Sequence, residues 1–302
     1  MRRFLSRVLP LLLSFGLIFN CTGCSTVLVL AGKARENSEA SSSVISESSA
    51  SSGVISTPVP TEDGDLRAFY TDVANAESVT VMVYMIGSDL ESEDGSATDD
   101  LLEMADAALS ENIHLVLQTG GTETWWNDVC TDDESERFVI ENGDMTLLQS
   151  LGSMNMTDAD TLSDFIRFSA ESYPADRYEL ILWDHGGGTM TGFGYDELYE
   201  DTSLTLSSLS TALYNGGVQF DFIGFDACLM ATAEVAYALD PYADYLIASE
   251  ESEPGEGWAY KNWLTMLAED PAVPTAELGK KLADDFLEAY IFADMPTLSV
   301  LD

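Results

Sequence analysis

The chain of 302 residues carries 53 Asp and Glu against 12 Lys and Arg, a formal charge of −41. That balance repels nucleic-acid phosphates and anionic lipid surfaces and favours cationic ligands. With 46% hydrophobic residues, the chain has material for a packed core and length for one large or two small domains.

The first residues read as a targeting segment. Arg2, Arg3 and Arg7 precede the apolar stretch Val8–Phe19, which is too short to span a bilayer as a mature helix. "CTGCST" follows at 21–26, with small residues before Cys24 as in a bacterial lipobox, although Cys21 stands where a Leu is usual. The expectation is a lipoprotein-type signal over residues 1–23 and lipidation of Cys24. The protein would then face outward from a bacterial cell membrane, held by that anchor alone; plain secretion is the alternative. The Ser-rich stretch Glu36–Thr57 has no aromatic residue and cannot bury enough apolar area to offset its ordering. Residues 24–66 are therefore read as a flexible linker, and 67–302 as the folded domain. Of the four cysteines, Cys130 and Cys228 fall in that domain, either paired or as free thiols.

Strands and helices then alternate. "SVTVMVYMIG" (78–87) is a near-continuous apolar run, the mark of a strand buried on both faces. The acidic stretch 88–100 reads as a loop and Leu101–Leu109 as a helix. "NIHLVLQTGG" is a second strand. The two runs around Asn142-Gly143 are a hairpin. Asp158–Tyr173 is a helix stopped by Pro174, "YELILW" a third buried strand, and Ser207–Tyr214 a helix. "VQFDFIGF" is a fourth strand, Leu229–Leu239 a helix and "ADYLIAS" a fifth strand. Two helical segments lie between Asn262 and Tyr290, and "TLSVL" is a last strand. The alternation predicts a mostly parallel sheet covered by helices on both faces. Such sheets place their sites at the carboxyl ends of strands.

Two of those ends carry chemistry. "YELILW" is followed by Asp184, His185 and three glycines; "VQFDFIGF" is followed by Asp226, Ala227 and Cys228. A thiol nucleophile needs a base, and an imidazole on the next strand can accept its proton and later protonate a leaving amine. A helix starting at Leu229 would place its positive end beside the sulfur. The glycines let backbone N–H groups approach an anionic intermediate. His114 lies inside a strand and reads as structural. Asp226 is either a partner for a cation beside the thiol or the N-cap of the following helix. No G-x-S-x-G elbow, H-E-x-x-H, Walker loop or dinucleotide fingerprint occurs.

The strand-plus-His-Gly and strand-plus-Asp-Ala-Cys pair resembles the clostripain family of cysteine peptidases, relatives of caspases, gingipains and legumain. "VTVMVYMIGSDLE" and "IASEESEPGEGWAY" extend the resemblance from about Val79 onward. It implies a caspase-like α/β/α sandwich and an endopeptidase that cuts after Arg or Lys in peptides and proteins. It implies His185 and Cys228 as the catalytic pair and Gly186, with the Cys228 amide, as the oxyanion hole. Asp226 and Glu256 are implied as acids that bind the substrate's basic side chain. Some relatives need calcium, for which the acidic stretch Asp89–Asp100 is the candidate, without EF-hand spacing; no other cofactor is implied. The family's domain usually continues past a strand such as "TLSVL", so the resemblance implies further fold beyond Asp302. Some members cut themselves between the catalytic His and Cys, yet no Lys or Arg occurs from Glu179 to Tyr260. The rival reading is a catalytically inactive member acting as a surface binding module.

Overall fold

A computed structural model describes residues 68–199, 202–290 and 296–302. The expected signal, the linker and Cys24 lie outside the described residues. Eight strands form one sheet among the described residues: β1 (Val79–Ile86), β2 (Ile113–Gly120), β3 (Ser135–Glu141), β4 (Asp144–Gly152), β5 (Arg177–Trp183), β6 (Phe220–Asp226), β7 (Ala243–Ala248) and β8 (Ser299–Leu301). Their order is β4-β3-β2-β1-β5-β6-β7-β8. The pairs joining β2, β1, β5, β6 and β7 are parallel; the β3–β4 hairpin and β8 add antiparallel edges. The fold is thus the mostly parallel α/β/α sandwich expected.

The β1 sequence shows why. Every residue of VTVMVYMI is buried, and successive side chains point to opposite faces. Met82, Tyr84 and Ile86 join one core with residues of α3 (Ala159–Ser172), α5 (Leu206–Gly216) and α6 (Ala233–Leu239). Val79, Val81, Val83 and Met85 join the other, with α2 (Ser96–Ala105), α7 (Tyr260–Glu269) and α8 (Thr275–Ala289). The hairpin turns at Asn142 and Gly143, both at positive φ, as the right-handed strand twist favours. No helix among the described residues is long and apolar enough to cross a membrane.

Two expected boundaries differ. The acidic stretch 88–100 is not an open loop: it forms α1 (Ser88–Ser92) and the start of α2. The buried Glu91 carboxylate organises it, accepting the Thr98 N–H at 2.8 Å, the Thr98 hydroxyl at 2.6 Å and the Trp126 N–H at 2.6 Å. α6 starts at Ala233 rather than Leu229. Leu229 has φ +65°, and the segment is tied across to the chain after β7, Leu229 N–H to the Glu251 carbonyl at 3.0 Å and Ala231 N–H to the Ser249 carbonyl at 2.8 Å. Thr232 then caps α6, its hydroxyl accepting the Val235 N–H.

Candidate active site

β5 and β6 run parallel with Trp183 level with Asp226. His185 and Cys228 each lie two residues further on, so neighbouring strands deliver them to one edge of the sheet. Both line a cavity of about 150 Å³, together with Leu90, Asp226, Glu253 and Gly257. Cys228 is half-buried and free, and Cys130 is buried and free, which excludes a disulfide between them. Burial pushes the Cys130 thiol up to about 12, so it is inert near neutral pH. His114 in β2 packs its ring 5.4 Å from that of Tyr173.

The expected helix end is not beside the sulfur, because α6 begins five residues later. The sulfur instead accepts the Glu253 N–H at 3.3 Å. The glycine loop, which runs into the one-turn helix α4 (Gly188–Thr191), presses on the nucleophile segment: a Cβ on Gly186 would lie 2.0 Å from the Cys228 carbonyl oxygen. No other residue fits there without displacing Cys228. Among the described residues the Gly186 and Cys228 N–H groups meet no protein acceptor, as an oxyanion hole requires.

Asp226 is 5% exposed and caps no helix. Its Oδ2 accepts the Trp258 N–H at 3.0 Å and the Tyr260 hydroxyl at 2.7 Å. Burial raises its pKa to about 6, against the pull of those two donors. Glu256, expected in the pocket, is exposed and outside the cavity lining, though Gly255 and Gly257 on either side line it. The acid that this loop contributes to the lining is Glu253, which sequence reasoning missed. Neither of its buried oxygens has a partner in hydrogen-bond geometry. Burial, the Asp226 charge and Cys228 push its pKa well up. Two carboxyls sharing one buried pocket do not both ionise cheaply, so a charged Glu253 opposes the charge on Asp226. Gly257 makes room for it: at φ +67°, its Cβ would approach the Asp226 carboxylate to 3.0 Å.

Deeper still, Asp100 is 2% exposed and accepts the Trp183 indole N–H at 2.6 Å. Three acids of 88–100 turn to partners within the protein. Asp89 turns to His185, Glu91 to Thr98 and Trp126, and Asp100 to Trp183. Among the described residues no group of three or more His, Cys, Asp or Glu could hold a metal ion.

The sheet, with a thiol and an imidazole on adjacent parallel strand ends, defines a caspase-like α/β/α protein. Residues 83–302 match the sequence model of the clostripain family, Peptidase_C11, and the chain belongs to that family. It is 29% identical over 217 residues to clostripain of Hathewaya histolytica, covering 61% of this chain and 41% of that protein. The chain thus spans about two fifths of that relative's length. A secreted C11 cysteine protease from Bacteroides thetaiotaomicron, solved with an irreversible peptide inhibitor, superposes with TM-score 0.59 at 24% identity, covering 71% of this chain and 59% of that one. An inactive zymogen C11 protease from Parabacteroides distasonis gives 0.55 at 27%, covering 70% and 58%.

Proposed function

We propose that the protein is an exported cysteine endopeptidase that cleaves peptide bonds after Arg or Lys. One observation carries this reading: His185, Cys228 and the buried carboxylate of Asp226 line a single cavity. Cys228 attacks the scissile carbonyl and His185 takes the thiol proton, then passes it to the departing amine. The Gly186 and Cys228 N–H groups stabilise the oxyanion. Water hydrolyses the thioester with His185 as base. Asp226 pairs with the substrate cation beside the bond being cut, a charge-assisted contact stronger than a neutral one, while Glu253 lines the same cavity. Export is supported by the signal-like first residues and by a structural relative described as secreted; tethering through Cys24 is part of the proposal. Because no basic residue lies between His185 and Cys228, an enzyme of this specificity acts uncleaved across its site.

A panel of fluorogenic peptides varied at the residue before the scissile bond tests the proposal. Wild type is expected to cleave after Arg and Lys. Cys228→Ala and His185→Ala each lose at least about a thousandfold in kcat, because the two act as a unit. Near-normal turnover by either variant would refute the mechanism.

A further inference from the structure

We propose that Asp89 is a positioning residue for His185, holding the imidazole in its Nε2–H form and leaving Nδ1 to take the Cys228 proton. The inference rests on the pair proposed above and adds a third member to it. His185 Nε2 lies 2.7 Å from Asp89 Oδ1. A carboxylate only accepts, so Nε2 must donate, and in neutral imidazole the other nitrogen then carries the lone pair. The topology gives this contact a built setting. β1, β5 and β6 are consecutive in the sheet, and each delivers one member: Asp89 three residues past Ile86, His185 two past Trp183, Cys228 two past Asp226. Acid, imidazole and thiol therefore follow one another along the same edge.

The residues preceding Asp89 and His185 are locked together as well. Ser88, just before Asp89, donates its hydroxyl to Oδ1 of Asp184, just before His185, at 2.6 Å. Its N–H donates to the Gly121 carbonyl at 3.1 Å. Ser88 sits at φ +48°, an unfavourable conformation for a residue with a Cβ that persists only where surrounding contacts impose it. The Asp184 carboxylate that imposes it is 3% exposed and also accepts the Tyr195 N–H. A surface ion pair formed by chance has no such scaffold beneath it.

Two consequences follow for the chemistry. The tautomer is fixed before substrate arrives, and the imidazolium formed when the thiol ionises has a carboxylate against it. Asp89 and His185 side chains are 46% and 43% exposed, so solvent screens the charge. The expected loss on removal is therefore roughly ten- to a hundredfold in kcat, below the loss of about ten-thousandfold seen when a buried carboxylate is neutralised in a serine-protease triad.

The chain has two histidines, which makes the test direct. Ring-nitrogen chemical shifts are recorded on histidine-labelled Cys228→Ala protein with and without Asp89→Ala. Neutral His185 is expected as the Nε2–H tautomer in the first and as a mixture in the second. Asp89→Asn retains an acceptor but drops the charge, so it keeps the tautomer. In the Cys228 background, both Asp89 variants lower kcat about ten- to a hundredfold with KM nearly unchanged, and Asp89→Glu recovers part of the loss. A Nδ1–H tautomer in the parent, or a tautomer and kcat both indifferent to Asp89→Ala, overturns the assignment. Should the parent cleave no peptide, the proposed function fails, while the nitrogen spectra still decide the role of Asp89.

Discussion

Neutralising Asp226 is the sharpest test of how the pocket selects its substrate. The carboxylate is buried and accepts two hydrogen bonds on one oxygen, from the Trp258 N–H and the Tyr260 hydroxyl. Asp226→Asn keeps an oxygen for those donors and removes the charge. A guanidinium about 4 Å from a unit charge at an effective dielectric near 20 gains about 4 kcal/mol. Losing most of that is worth several hundredfold in kcat/KM. The loss depends on pH in a defined direction. Burial holds the Asp226 pKa at about 6, so wild type carries the charge above that value and progressively loses it below. The variant should therefore fall several hundredfold behind on Arg substrates at pH 8. The gap should narrow toward pH 5, where the wild-type group is mostly protonated. Glutamine or citrulline before the scissile bond should be cut with similar efficiency by both proteins. The assay is kcat/KM on matched fluorogenic peptides between pH 5 and 8, with thermal unfolding as a control for folding. An Asp226→Asn protein that keeps its Arg preference and its efficiency at pH 8 would refute the reasoning and make this carboxylate a structural anchor for Trp258 and Tyr260.

Two further outcomes are expected. Iodoacetamide near neutral pH should modify Cys228 rapidly and leave Cys130 untouched in the folded protein, since Cys130 is buried with its thiol pushed up to about 12; peptide mapping reads this, and a Cys228 as slow as Cys130 would favour a catalytically inactive member of the fold. Away from the site, Arg177 hydrogen-bonds Asp221 through Nε and Nη2 at 2.9 and 2.6 Å, while its Nε passes 3.0 Å from Glu179 Oε1 without a hydrogen bond. Burial therefore prevails at Glu179 and lifts its pKa to about 8. The folded state keeps a proton there that the unfolded chain releases above about pH 4.5, so stability falls as pH rises from there to 8, by at most about 1.4 kcal/mol per pH unit. Glu179→Gln should flatten that part of the pH–stability curve measured by denaturant unfolding, and an unchanged slope would contradict the protonated state.

What the sequence determined by itself was the sheet and the placement of His185 and Cys228 at neighbouring strand ends. Strands buried on both faces carry long apolar runs, Val81–Ile86 in β1, Leu180–Trp183 in β5 and Phe222–Phe225 in β6, so each run ends visibly where polar residues begin. His185 and Cys228 stand at those ends, and parallel pairing places them side by side whatever the loops do. The loops obey no such local rule. Glu253 and Glu256 are both acids in the same glycine-containing stretch; which of them enters the pocket depends on contacts across the chain, such as the Glu253 N–H with the Cys228 sulfur. The start of α6 was hidden for the same reason, because bonds from Leu229 and Ala231 to residues beyond β7 outweigh the helical preference of the segment. Asp89 looked like one more acid in a solvated loop. Only the side-by-side placement of β1 and β5, with the buried link from Ser88 to Asp184, brings its carboxylate to the imidazole. Periodic burial is written locally, residue by residue, whereas the aim of a loop side chain is set by hydrogen bonds to residues far away in the chain.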